Sequence, residues 1–211
     1  MKLAVPRLAV LLALLSALAP AAAARYPLMF AAQVPVPTDT AARLSAFANH
    51  MTGIDQVPRG GDLMLRYPDG SLRNLTREAG FGNDGAQGAH AIAVREPSVD
   101  WDGRRAVFSM LVGAGFWQLY EVAGLGQGEH ASIARVPGQP KDANNVSPLY
   151  ATDGRILFTS DRPRGGGAHL YPQLDEYEAT PTVTGIWSLD RASGALRILN
   201  HTPSGAFSPF I

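Results

Sequence analysis

The chain has 211 residues, 46% of them hydrophobic and 17% charged, so it can bury a sizeable core and falls outside the disordered class. Its 18 Lys and Arg balance 18 Asp and Glu, which leaves no net field to draw nucleic acid or an anionic membrane surface as a partner. Cysteine is absent, which excludes disulfides, thiolate metal sites, a cysteine nucleophile and haem attached through Cys-x-x-Cys-His.

Residues 1–24 open with Lys2 and Arg7, continue through an apolar run from Leu8 to Leu18, and end in Ala22-Ala23-Ala24 before Arg25. This is the pattern of a secretory signal peptide cleaved after Ala24, since the run is shorter than the ~20 residues that span a bilayer. The expected location is a bacterial periplasm or the exterior, with no stable membrane insertion after cleavage. Tyr26 to Pro35 reads as a strand and as an outer strand that closes a ring of sheets; Thr40 to Phe47 is too short to separate a helix from an irregular excursion. Asp62 to Tyr67 and Ser71 to Thr76 flank Pro68-Asp69-Gly70, a hairpin with its turn residues in place. Glu78 to Gly88 is rich in glycine and reads as a linker between sheets; no Gly-Lys-Ser/Thr follows that would make it a phosphate loop.

The next segment carries an Asp-Gly turn at Asp102-Gly103, then Arg104, an apolar run, Phe108 and Ser109. The same order recurs 51 residues later at Asp153-Gly154, Arg155, Ile156-Leu157, Phe158 and Thr159. A further copy starts at Ser208-Pro209, 61 residues after Ser147-Pro148. Asp69 to Thr76 also matches Ser193 to Asn200, at an offset of 124. Periods near fifty residues that each hold several short strands predict β-propeller blades of four antiparallel strands. The expected blades cover about 97–136 and 146–200, with an N-terminal hairpin at 62–76 and the start of another blade at 208. Residues 25–211 then form one all-β domain, an incomplete propeller. Such a chain is either a truncated gene product or one that completes its ring with another copy or another polypeptide. Trp101, Trp117 and Trp187 are expected to pack between blades.

Candidate functional residues lie in the least repetitive segment, His169 to Thr182, because a long loop interrupting a repeat is where propellers place function. Asp161, Asp175 and Glu176, with Glu178, offer oxygen ligands for a hard cation, and His169 offers a nitrogen ligand or a proton carrier. The plainer reading is a solvated loop whose carboxylates pair with Arg162 and Arg164, since no spacing matches an EF-hand or a His-x-x-x-His pair. The binding patch singled out is His169, Asp175, Glu176 and Asp161; its metal is left unknown. The five histidines, His50, His90, His130, His169 and His201, show no metal spacing. No Gly-x-Ser-x-Gly nucleophile motif occurs, so an attached serine peptidase has no support.

The pattern Ser-Pro-x-x-x-x-Asp-Gly-x-Ile-x-Phe-Thr-Ser-Asp-Arg at Ser147 to Arg162 resembles the TolB-like six-bladed propeller repeat. More closely, Ala91 to Val99, Asn144 to Pro148, Phe158 to Arg164, His169 to Tyr177 and Asn200 to Gly205 resemble proteins related to the hydrazine synthase alpha subunit. The resemblance runs from about Tyr26 to Ile211. It implies a propeller of a family in which the hydrazine synthase alpha subunit itself carries c-type haem outside the propeller, a group this cysteine-free chain cannot attach through Cys-x-x-Cys-His. The expectation is therefore an exported binding or scaffold module with no cofactor and no catalytic activity of its own, presenting loops to a protein partner or a small ligand. The alternative is a subunit or fragment of a multi-haem redox enzyme whose centres lie outside this chain.

Overall fold

A computed structural model of the chain describes residues 25–32, 59–82, 90–162, 184–200 and 208–210. Among the described residues, short runs of β-branched, aromatic and aliphatic residues cut by Asp-Gly and Pro-Asp-Gly turns fold as eleven strands in three antiparallel sheets, taken in chain order. The first sheet holds β1 (Leu28–Ala32), β2 (Asp62–Arg66) and β3 (Leu72–Asn74). The second holds β4 (Ile92–Val99), β5 (Arg105–Val112), β6 (Gln118–Ala123) and β7 (Ser132–Arg135). In the third are β8 (Asn145–Tyr150), β9 (Ile156–Ser160), β10 (Gly185–Leu189) and β11 (Leu196–Ile198). Each sheet is a meander in sequence order. The described residues form no closed ring.

The Asp-Gly turns fall where the repeat places them, with Gly103 at φ 70° and Gly154 at φ 82°, left-handed values that a side chain resists. One expected strand is cut short. Asn74 accepts a hydrogen bond from the backbone N–H of Arg77 at 2.9 Å, and this N-cap turns Leu75–Glu78 into one helical turn, α1, where continuation of the strand to Thr76 was expected.

Burial is set by the stacking of the sheets. Leu63 and Leu65 of the first sheet meet Ile92, Val94, Phe108 and Met110 of the second. On the opposite face of the second sheet, Val107 and Leu119 meet Ile156, Phe158, Trp187 and Leu189 of the third. Alternation along β5 therefore feeds two separate cores from one strand, which is why it reads as a nearly continuous apolar run. Polar ties cross the same joints. Arg73 donates to the carbonyls of Gly124 and Gly126, while Glu121 accepts from Tyr150 Oη and Arg191, each at 2.7 Å. Trp117 and Trp187 are buried between sheets as expected. Trp101 is not: it stands in the turn between β4 and β5 and is 71% exposed, since a tight turn projects its side chains past the end of the sheet.

Candidate functional site

A proline inside a strand cannot donate to the ladder, so β4 and β8 must break register where Pro97 and Pro148 fall. They do so by bulges between Arg95 and Ser98 and between Val146 and Leu149. The residue ahead of each proline takes a left-handed backbone: Glu96 at φ 51°, Ser147 at φ 52°, and Ser208, ahead of Pro209, at φ 54°. These are the non-glycine residues with positive φ among those described. Each such residue stores about 1–3 kcal/mol and persists only where its surroundings hold it.

What holds them is visible. The Glu96 carboxylate accepts from both the backbone N–H and the hydroxyl of Ser147, each at 2.8 Å, so the second sheet clamps the bulge of the third. Ser208 donates its N–H to Thr159 Oγ1 at 2.9 Å, so the third sheet clamps the segment 208–210. Behind Glu96, Arg95 is 2% exposed, pairs with that carboxylate at 3.0 Å and lies 5.3 Å over the Trp117 ring. Burial pulls the Arg95 pKa down to about 10, and the Glu96 charge works against that fall.

The two bulges and Ser208-Pro209 line one cleft of about 300 Å³, walled by Pro97, Pro148, Pro209 and Leu149 and carrying Glu96, Ser98, Ser147 and Ser208 as its polar residues. A second hollow of about 240 Å³ shares Ser98 and Leu149 with it and adds Tyr150, Trp101 and Phe210. Trp101 and the 91%-exposed Phe210 form its rim. Together the hollows offer an apolar, proline-lined floor with one carboxylate and exposed aromatic edges. That chemistry suits binding.

Of the residues singled out from sequence, Asp161 lies at the end of β9. Its carboxylate accepts the backbone N–H and the side-chain amide of Asn144, each at 2.7 Å. Burial raises its pKa, and the Asn144 bonds oppose the rise. His169, Asp175 and Glu176 lie outside the described residues, as do the signal segment, the segment 40–47 and the centre of the glycine-rich linker. Among the described residues no group of three His, Asp or Glu is placed to hold a metal ion, and no helix is long and apolar enough to cross a membrane. Glu96, Ser147 and Ser208 were not singled out. Their signal was present as a residue-proline pair inside each strand run, recurring at the offsets of the repeat.

No protein-family description and no curated protein matches the chain. Among solved structures, Kuenenia stuttgartiensis hydrazine synthase matches with a TM-score of 0.53 at 15% identity, over 88% of this chain. The match spans 26% of the length of that chain, and at this identity it speaks for the fold: a distant structural relationship to one part of a larger protein.

Proposed function

We propose that the chain is an exported binding or scaffold module built as part of a β-propeller of the TolB-like, hydrazine synthase alpha-related kind, and that its ligand or protein partner seats in the cleft at the strand bulges. The observation that carries this reading is the convergence of the left-handed residues Glu96, Ser147 and Ser208 on one cleft. Strain repeated at one place, and clamped there from the preceding sheet, is retained where the shape of the surface matters. The order of sheets and the repeat near fifty residues support the propeller; the apolar run between Lys2-Arg7 and Ala24 supports export.

The test is a fragment screen by amide-resolved NMR on the protein and on Ser98→Phe, which fills the floor shared by both hollows. Shifts should cluster at 96–98, 147–149 and 208–210 and vanish in the variant. Shifts scattered over other surfaces, or unchanged by Ser98→Phe, would sink the reading. A second reading, a redox-enzyme subunit whose centres lie outside this chain, draws on the hydrazine synthase match alone. Its readout is a haem absorption band in the complex purified from the native cell.

A further inference from the structure

The cleft at the bulges is more selective than its apolar walls suggest. Glu96 is the one charged group among the described residues that line it, and the adjoining hollow, with Ser98, Trp101, Leu149 and Tyr150 on its walls, has none among them. Arg95 lies behind Glu96 at 2% exposure, whereas the Glu96 side chain is 31% exposed. A ligand entering the cleft therefore meets the carboxylate and not the guanidinium that balances it.

That carboxylate is only partly used. Its Oε2 accepts three bonds, from Arg95 Nε at 3.0 Å and from the N–H and hydroxyl of Ser147 at 2.8 Å each. Its Oε1 accepts one, from Arg95 Nη2 at 3.0 Å, which leaves room for a further donor. The surroundings are poor in donors. Pro97, Pro148 and Pro209 have no N–H, and those of Ser147 and Ser208 are already given to Glu96 and Thr159. The residues of the two bulges, Glu96-Pro97 and Ser147-Pro148, have no partner in register, so acceptors outnumber donors at this place. An anionic group would leave water here without a donor to meet it.

Resting on the reading of this cleft as the binding site, we propose that its occupant is an arginine side chain of a protein partner. The guanidinium donates to Glu96 Oε1 and the alkyl stem lies along the prolines and Leu149. Arginine is singled out over lysine by the apolar walls, because a guanidinium is more weakly hydrated than an ammonium and loses less on leaving water. Its N–H donors also fan out in one plane, which suits several acceptors spread around the site. The protein already uses arginine in this way. Arg95 joins the Glu96 carboxylate to the Trp117 ring at 5.3 Å, and Arg105 joins Asp100 to the Tyr150 ring at 5.3 Å.

A polypeptide source follows from what adjoins the cleft. Ser98 and Leu149 continue its floor into the hollow of about 240 Å³ where Trp101 stands 71% exposed. A small guanidine fills the first hollow and leaves this surface bare, whereas a segment that carries the arginine covers both. Tryptophan and arginine are the side chains most enriched at the energetic centres of protein interfaces. Pro97 and Pro148 deny the partner a regular ladder on β4 and β8, so recognition goes through side chains.

The probes are a capped Ala-Ala-Arg-Ala-Ala peptide, its lysine and citrulline counterparts, and methylguanidine, each titrated by amide-resolved NMR. The arginine peptide should shift residues 96–98 and 147–149 and bind about tenfold or more tightly than the citrulline peptide, which keeps the shape and loses the charge. In the double variant Arg95→Met with Glu96→Gln, the two peptides should bind alike. Trp101→Ala should weaken the arginine peptide several-fold and leave its preference over citrulline. Equal binding of the arginine peptide with its citrulline or lysine counterpart to the wild-type protein overturns the proposal, as does a preference for arginine that survives the double variant. Methylguanidine binding as tightly as the peptide, or no effect of Trp101→Ala, overturns the protein partner. Where the arginine preference fails and neutral probes still map to the cleft, the binding-site reading stands; shifts in the cleft from no probe at all remove both.

Discussion

Glu96→Ala is the sharpest test of how the sheets are held together. The substitution removes the acceptor of Ser147 N–H and Oγ–H and strips the carboxylate from Arg95, whose guanidinium is 2% exposed between sheets. Breaking a buried ion pair from one side costs about 3–5 kcal/mol, because the charge left behind is shielded from water and has lost the carboxylate that faced it. The Glu96 side chain is 31% exposed, so water reaches one end of the pair and the lower figure, about 3 kcal/mol, applies here. At ~2–4 °C per kcal/mol for a chain of this size, the melting temperature should drop by roughly 6–12 °C. Arg95→Met combined with Glu96→Gln keeps the volume and the acceptor for Ser147 while removing both charges. It should recover most of the loss, as apolar replacements of buried pairs do. Urea unfolding followed by circular dichroism measures both. A loss under about 1 kcal/mol for Glu96→Ala would mean that Arg95 is not held by this carboxylate, and the account of the clamp would fall.

Two further outcomes follow from the same coordinates. Gly103 and Gly124 both have positive φ, but a Cβ at Gly103 meets nothing within 4 Å, while one at Gly124 would lie 2.1 Å from the His130 carbonyl oxygen. Gly103→Ala should therefore cost only the backbone term, about 1–2 kcal/mol, and Gly124→Ala about 1–3 kcal/mol beyond that; equal losses in urea melts would contradict the difference. Glu78 is held below the ordinary glutamate value of 4.5, chiefly by its hydrogen bonds from Arg73. Because its folded pKa is the lower one, its contribution is present above the unfolded value and is lost as pH falls through the folded one. Glu78→Gln should flatten the acid limb of stability between neutral pH and pH 3 relative to wild type; parallel curves would show that the pair contributes nothing there.

How much of this was legible in the sequence depends on where the physical signal is local. Asp-Gly turns, apolar runs and the period near fifty residues gave the antiparallel sheets, because turn chemistry and strand pattern are written within a few residues. Two of the sheets have the expected four strands, spanning Ile92–Arg135 and Asn145–Ile198. Asn74 misled because its side chain competes with the ladder for the backbone, and a cap there outweighs the strand pattern of Leu72 to Thr76. Trp101 misled because its size argues for burial while its place in the turn between β4 and β5 decides against it. The candidate site was sought among carboxylates in a long loop. The one of them within the described residues, Asp161, accepts two bonds from Asn144 in fixing the start of β8 to the end of β9.

The cleft escaped a search by chemical type because nothing about Glu96, Ser147 or Ser208 is chemically unusual. Their distinction is conformational, and it arises from the residue that follows each of them. Proline removes a ladder donor, the strand bulges, and the preceding residue turns left-handed. A bulge also frees that residue's own polar groups from the ladder, and in Ser147 they turn across the joint to Glu96 of the neighbouring sheet. One substitution pattern thus does two things at once: it keeps the free edge of each first strand from pairing, and it ties that strand to the sheet before it. The same pattern at Ser208-Pro209 ties the segment 208–210 to Thr159, with Ser208 already left-handed.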